Sequence, residues 1–241
     1  MVTLKMAIIF LMEQIRTPFS LIWTIMSPTV LFFFLHFNEI ELHYGDTAWL
    51  GKQISWFVGY ISFSVVLFNY CLYLVGRRES GFIATFVHNM DGRLLFIRSQ
   101  LIASLIMSIL YVFFFILVVL TGFQASPDYQ IVMIILKSIY INAFMMVSLT
   151  FMASFRVTFQ TASTIYSVLI TVCMVSGIVS LKYNEGIVYW INQVNPISIY
   201  STILLSDQEL SLMTIFFYSI MLIISIISAL TFKTEPVWSS Q

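Results

Sequence analysis

The sequence is poor in charge, in cysteine and in histidine. Only 9% of its 241 residues are Asp, Glu, Lys or Arg, while 60% are hydrophobic. No soluble domain of this size has that balance, so the chain reads as an integral membrane protein. Acidic and basic residues number 11 each and no basic tail appears, which argues against nucleic acid as a partner. Cys71 and Cys173 both lie in apolar runs, as small buried hydrophobes rather than a disulfide framework. His36, His43 and His88 lack ligand spacing, so no metal centre is expected. The apolar stretch after Lys5 is broken by Glu13 and Arg16 and has no small-residue cleavage site, so it is not a signal peptide.

Two further absences bear on energy supply. No Asp or Glu interrupts the interior of a long apolar run, whereas proton-driven carriers usually place a carboxylate or histidine there. Sodium can still be held by backbone carbonyls, which keeps an ion-coupled secondary transporter as a rival reading. Gly45-Asp46-Thr47-Ala48-Trp49-Leu50-Gly51-Lys52-Gln53 approximates a phosphate-binding loop. Its spacing is one residue too long, and Gln53 stands where Ser or Thr would hold magnesium. The chain therefore has no nucleotide site of its own, and no hydrolase constellation appears. A membrane-embedded accessory subunit is the third reading.

What is present is a series of apolar spans. Residues 1–17 predict a helix lying in the membrane interface, with Met1, Leu4, Ile8, Leu11 and Ile15 on one face and Lys5, Glu13 and Arg16 on the other. Pro18 ends it, since the residue before proline avoids helical geometry. Six spans follow, over residues 19–37, 54–75, 94–121, 131–153, 161–181 and 212–232. Pro28 lies inside the first and removes one backbone donor. Residues 182–211 carry Asn192, Asn195 and Pro196, which would interrupt a full crossing. Two half-depth segments turning at Asn195-Pro196 are expected there, with a seventh span as the rival.

The stretch between the second and third spans, residues 77–93, is the one around which the others are arranged. It holds Arg77, Arg78, Glu79, Ser80 and Gly81, then Phe82, Ile83, Phe86, Val87 and Met90 at helical spacing. A short amphipathic helix is expected, with Ser80 capping its start and Gly92 ending it. Glu79 would sit at the positive end of its dipole. The arginines would meet a partner's acidic residues or lipid headgroups. An ordinary positively charged loop is the plainer alternative, but an aromatic face is more than a connector needs.

Three polar residues within spans are candidates for a substrate pathway. Lys137 either snorkels to the interface or faces a cavity. Asn142 and Asn69 either bond across helices or contact substrate. With six spans, Lys5, Arg16, Arg77, Arg78, Arg93, Arg98, Arg156 and Lys233 fall on one side and Lys52, Lys137 and Lys182 on the other. The positive-inside rule then places both termini in the cytoplasm.

In order, these features resemble the membrane subunits of ABC transporters, in the type-2 permease family of exporters. The resemblance rests on Arg16-Thr17-Pro18 with Ser27-Pro28, on Arg77-Arg78-Glu79-Ser80-Gly81, on the six-span order, and on Asn195-Pro196 before the last span. It covers nearly the full length. One departure is that Ile197 to Leu205 lacks an arginine often found after the Asn-Pro pair. The resemblance implies a single all-α transmembrane domain with a coupling helix, paired with a second, identical or homologous permease chain. It also implies separate cytoplasmic ATPase subunits that bind ATP and magnesium, with no cofactor on this chain. An amphipathic cargo (a peptide, a drug-like molecule or a lipid) and a bacterial plasma membrane are expected.

Overall fold

The computed structural model describes residues 2–16, 18–83, 89–180, 183, 185–205 and 212–230, without the side chains of residues 18–23, 213, 214 and 217. Phe86, Val87 and the segment's His88 lie outside the described residues, as do Lys182 and residues 231–241. The described chain is helical and takes the form of a polytopic membrane protein. In order, the helices are α1 (Val2–Ile15), α2 (Pro18–Leu35), α3 (Thr47–Glu79), α4 (Met90–Gly122), α5 (Tyr129–Ser154), α6 (Phe159–Ser180), α7 (Gly186–Val194), α8 (Pro196–Leu205) and α9 (Leu212–Leu230). Among the described residues, α3, α4, α5 and α6 are long and apolar enough to cross a membrane. The apolar α2 and α9 have 18 and 19 residues.

Side chains fix where these helices begin. Asp46, Asn89 and Asp128 cap α3, α4 and α5 by accepting from the backbone N–H groups of Trp49, Gly92 and Ile131. The cap at Asp46 makes Thr47 the start of α3, so residues 47–53 are helical where the sequence predicts loop. Thr47 donates to Asp128 across 2.7 Å, tying the starts of α3 and α5 together. The opposite end of α3 differs from expectation in three ways. Ser80 closes α3 and donates back to the Arg77 carbonyl, and helix resumes at Phe82 beyond the Gly81 turn. Glu79 is the last residue of α3, at its negative end. Gly92 lies in the first turn of α4 and Met90 opens that helix, so neither ends or lines a separate one.

α3 runs through the centre of the bundle. Within it Val66–Leu72 form a π-helical stretch, wider than the turns on either side. The core at the Asp46 end is aromatic, with Phe32 set edge-on to Phe57, Phe115 and Phe123 at centroid distances of 5.0, 5.7 and 6.0 Å. α8 lies hard against α3. A Cβ on Gly59 would come within 2.8 Å of the Ile197 carbonyl oxygen, so only glycine permits this approach. α1 crosses α3 and α4, burying Ala7, Phe10 and Gln14. Leu4, Ile8 and Ile15, on the predicted apolar face, point away from the protein. The face that packs inward is thus a different one, and the predicted stripe is left exposed.

Candidate functional site

Two places combine chemistry with exposure. The first is the Glu79 end of α3. There two consecutive arginines part company, because successive positions on a helix point about 100° apart. Arg77 bonds to Glu13 of α1 and donates to the Tyr73 hydroxyl at 2.8 Å, while Tyr73 also donates to Glu13. Its guanidinium lies 4.7 Å from the centre of the Phe82 ring, a cation–π contact. Arg78 turns the other way and is 1% exposed. It donates to the carbonyls of Ala153 at 3.1 Å and Val157 at 2.9 Å. Ala153 carries one of the last carbonyls of α5, which have no donor within their own helix. A cation there also meets the negative end of the helix dipole. The nearest carboxylate is that of Glu79, at 4.0 Å. Both arginines are therefore engaged within the chain, and Arg78 is closed to a partner. Ile83 is buried, and Phe82 packs half-buried against the core, so only part of the predicted apolar stripe is outward.

The second place is a cleft of about 450 Å³ between α2, α3 and α6. Thr24, Ser27 and Pro28 line it from α2, Tyr60, Ser64, Phe68, Asn69 and Leu72 from α3, and Ser167, Ile170 and Thr171 from α6. None of these is charged. Ser167 and Thr171 donate to carbonyls of their own helix, those of Ser163 and Ser167, and so present acceptor oxygens outward. Pro28 cannot donate to the turn before it. Asn69 sits where the π-helical stretch opens the backbone. Its carbonyl accepts from Gln100 at 2.7 Å, Ser104 at 2.9 Å and Gln14 at 3.5 Å. A buried polar chain thus runs from α1 and α4 to the cleft wall.

Of the three predicted pathway residues, only Asn69 lines this cleft. Asn142 is buried and donates to Ser108 at 2.6 Å, joining α5 to α4. Lys137 neither snorkels freely nor faces the cleft: its ammonium donates to the Leu204 carbonyl at the end of α8. Asn195 is the cap of α8, with Pro196 at the first helical position. Its amide also donates to the Cys173 carbonyl at 2.8 Å and to Ser176 at 3.1 Å, pinning the α7–α8 turn to α6. Sequence reasoning missed the cleft hydroxyls. Their signal was present as Tyr60–Ser64 and Ser167–Thr171, pairs four apart and hence on one helical face. Among the described residues no cluster of His, Cys, Asp and Glu is suited to a metal ion.

The chain is 99% identical over 241 residues to Protein McbE of Escherichia coli, covering all of both sequences. It belongs to the McbE family. No protein-family model matches it, and no solved structure does. The relationship to McbE runs through every element described above, from Glu13 on α1 to the helix after the Asn195 turn.

Proposed function

We propose that the chain is the permease subunit of an ATP-driven ABC exporter in a bacterial plasma membrane. Six spans, α2, α3, α4, α5, α6 and α9, cross the membrane, with both termini cytoplasmic and α1 in the interface. α7 and α8 enter from the outer side to about half depth. Their 9 and 10 residues suit that depth, since 1.5 Å of rise per residue gives roughly half of a ~30 Å hydrocarbon layer. A second permease chain completes the pathway. Cytoplasmic ATPase subunits dock on the segment after Glu79 and supply ATP and magnesium.

The observation that carries this reading is the cleft. It opens to one side of a single chain, is lined by hydroxyl and amide groups, and contains no ionisable carboxylate or histidine. Such a wall suits an amphipathic cargo and offers no group through which a proton gradient could act. Drive then comes from outside the chain.

The test is transport by inverted membrane vesicles containing the chain and its ATPase, with and without ATP and with ionophores. ATP-dependent uptake that survives collapse of the ion gradients supports the reading. Uptake that needs only a gradient overturns it.

A further inference from the structure

The paired arginines of α3 hold three parts of the chain together at one end. Arg77 reaches Glu13, on α1. Arg78 reaches Ala153, at the end of α5, and Val157, in the link between α5 and α6. The two grips differ in kind. Arg77 is partly exposed and paired with a carboxylate. Arg78 is buried and donates to two backbone carbonyls four residues apart in sequence, with the Glu79 carboxylate 4.0 Å away. Only a planar guanidinium can offer two separated N–H groups to such a pair, and a lysine ammonium has no equivalent fork.

The neighbouring contacts favour transmission of movement through Arg78. Tyr70 bonds to Thr150 one helical stretch further in, at 2.9 Å, and Cys71 Sγ donates to the Leu149 carbonyl at 3.4 Å, so α3 and α5 are joined three times on this side. Tyr166 of α6 donates to the Met152 carbonyl at 3.0 Å. α5, its link and the first turns of α6 thus form one hydrogen-bonded body, and Arg78 is its attachment to the last turn of α3. Ser80 and Gly81 follow within three residues, and Gly81 turns the chain with φ of +72°.

We propose that Arg78 is a positioning residue. It makes the α5–α6 link, and through it the Ser167–Thr171 wall of the cleft, follow displacement of the segment after Glu79, while Arg77 transfers the same displacement to α1. This goes beyond the permease reading and rests on it only for the direction in which force travels.

The experiment has two arms. Spin labels are placed at Ser80→Cys and Gln160→Cys, both exposed positions, in a chain carrying Cys71→Ala and Cys173→Ala and reconstituted in lipid vesicles. The parent is expected to give one narrow distance distribution. Arg78→Met should broaden it and Arg78→Lys should broaden it less, while Arg77→Met leaves it narrow because Arg77 reaches the other way. An Arg78→Met distribution as narrow as the parent's overturns the proposal, as does equal broadening by Arg77→Met. If Arg78→Met fails to insert, Arg78→Lys carries the comparison.

The second arm measures cargo moved per ATP hydrolysed by the assembled transporter. Arg78→Lys is expected to lower that ratio by about tenfold with hydrolysis retained, a loss of the size of a typical coupling energy. Transport and hydrolysis falling in proportion would mark an ordinary stability role and overturn the proposal. If the parent moves no cargo with ATP, the permease reading fails, and the distance arm alone decides for or against the link.

Discussion

The ammonium of Lys137 donates to the backbone carbonyl of Leu204 from a different helix, 3.1 Å away. Lys137 thus ties α5 to α8, as Arg78 ties α3 to α5. A lysine inside an apolar span looks from sequence like a snorkelling or cargo-binding cation. Here its charge meets a backbone carbonyl of the neighbouring helix α8.

Lys137→Met removes that bond and leaves the Leu204 carbonyl without this charged donor. The expected cost is about 1–2 kcal/mol, and Lys137→Arg should retain most of the stability. Thermal unfolding of the detergent-purified chain checks this. A methionine variant as stable as the parent would show that the contact contributes nothing.

Asn195 makes three bonds, to the Ile197 N–H, the Cys173 carbonyl and the Ser176 hydroxyl. Asn195→Ala loses all three and should cost about 2 kcal/mol. Asn195→Asp keeps the cap to Ile197 but loses the donor to Cys173, and should fall between. Protease sensitivity of the α7–α8 region is the measurement, with cleavage increasing from parent to Asp to Ala.

The loops at the Asp46 end should loosen in acid. The Ile131 N–H and the Thr47 hydroxyl hold the Asp128 carboxyl below the usual carboxylate range, and the Trp49 N–H and His43 do the same for Asp46. With the folded pKa below the unfolded value, the stabilisation is fully present above the unfolded pKa of about 4 and is lost as pH falls through the folded one. Hydrogen exchange at the Ile131 and Trp49 amides should therefore accelerate below about pH 4. Asp128→Asn should flatten the response at Ile131 and leave that at Trp49.

Phe82→Ala combined with Phe86→Ala should leave the chain inserted but weaken ATPase retention and abolish transport. Aromatic anchors in a desolvated contact typically cost about 2 kcal/mol or more on truncation. Loss of the Arg77–Phe82 contact alone is worth about 0.5–1 kcal/mol. Co-purification of the ATPase from membranes with equal permease content is the readout. Retention at the parent's level would leave this stretch as a plain connector.

Topology can be checked with single cysteines and an impermeant reagent. Position 124, in the turn between α4 and α5, should label from outside, and position 240 only after the membrane is opened. Outside labelling at 240 would favour an odd number of crossings.

The helical, membrane-embedded character was legible because apolar run length and charge placement are properties of single segments. So was the Asn195-Pro196 break, a polar pair amid apolar residues. What Arg78 and Lys137 do was not legible. They reach carbonyls of helices distant in sequence, and such pairings depend on which faces meet. The start of α3 was placed late because Lys52 and Gln53 read as loop, although Asp46 was available as a cap. Residues 80–92 read as one helix because the apolar spacing continues through Gly81. Ser80 ends α3, helix resumes at Phe82 and Ile83 beyond Gly81, and Asn89 caps α4.

The π-helical stretch Val66–Leu72 has a geometric consequence for α3. Each residue of a regular α-helix turns the chain by about 100°, and a wide turn takes up roughly one extra residue without that rotation. The half bearing Gly59 and the half bearing Arg77 are therefore set out of phase by an angle on the order of 100° relative to an unbroken helix. Tightening Val66–Leu72 into regular geometry would swivel the arginine pair about the helix axis while the Gly59–Ile197 contact stayed fixed. It would also withdraw the Asn69 carbonyl from Gln100 and Ser104. The centre of this protein thus carries a phase offset within a continuous helix, and the Asn69 carbonyl at that offset is held by two side chains from α4 and one from α1.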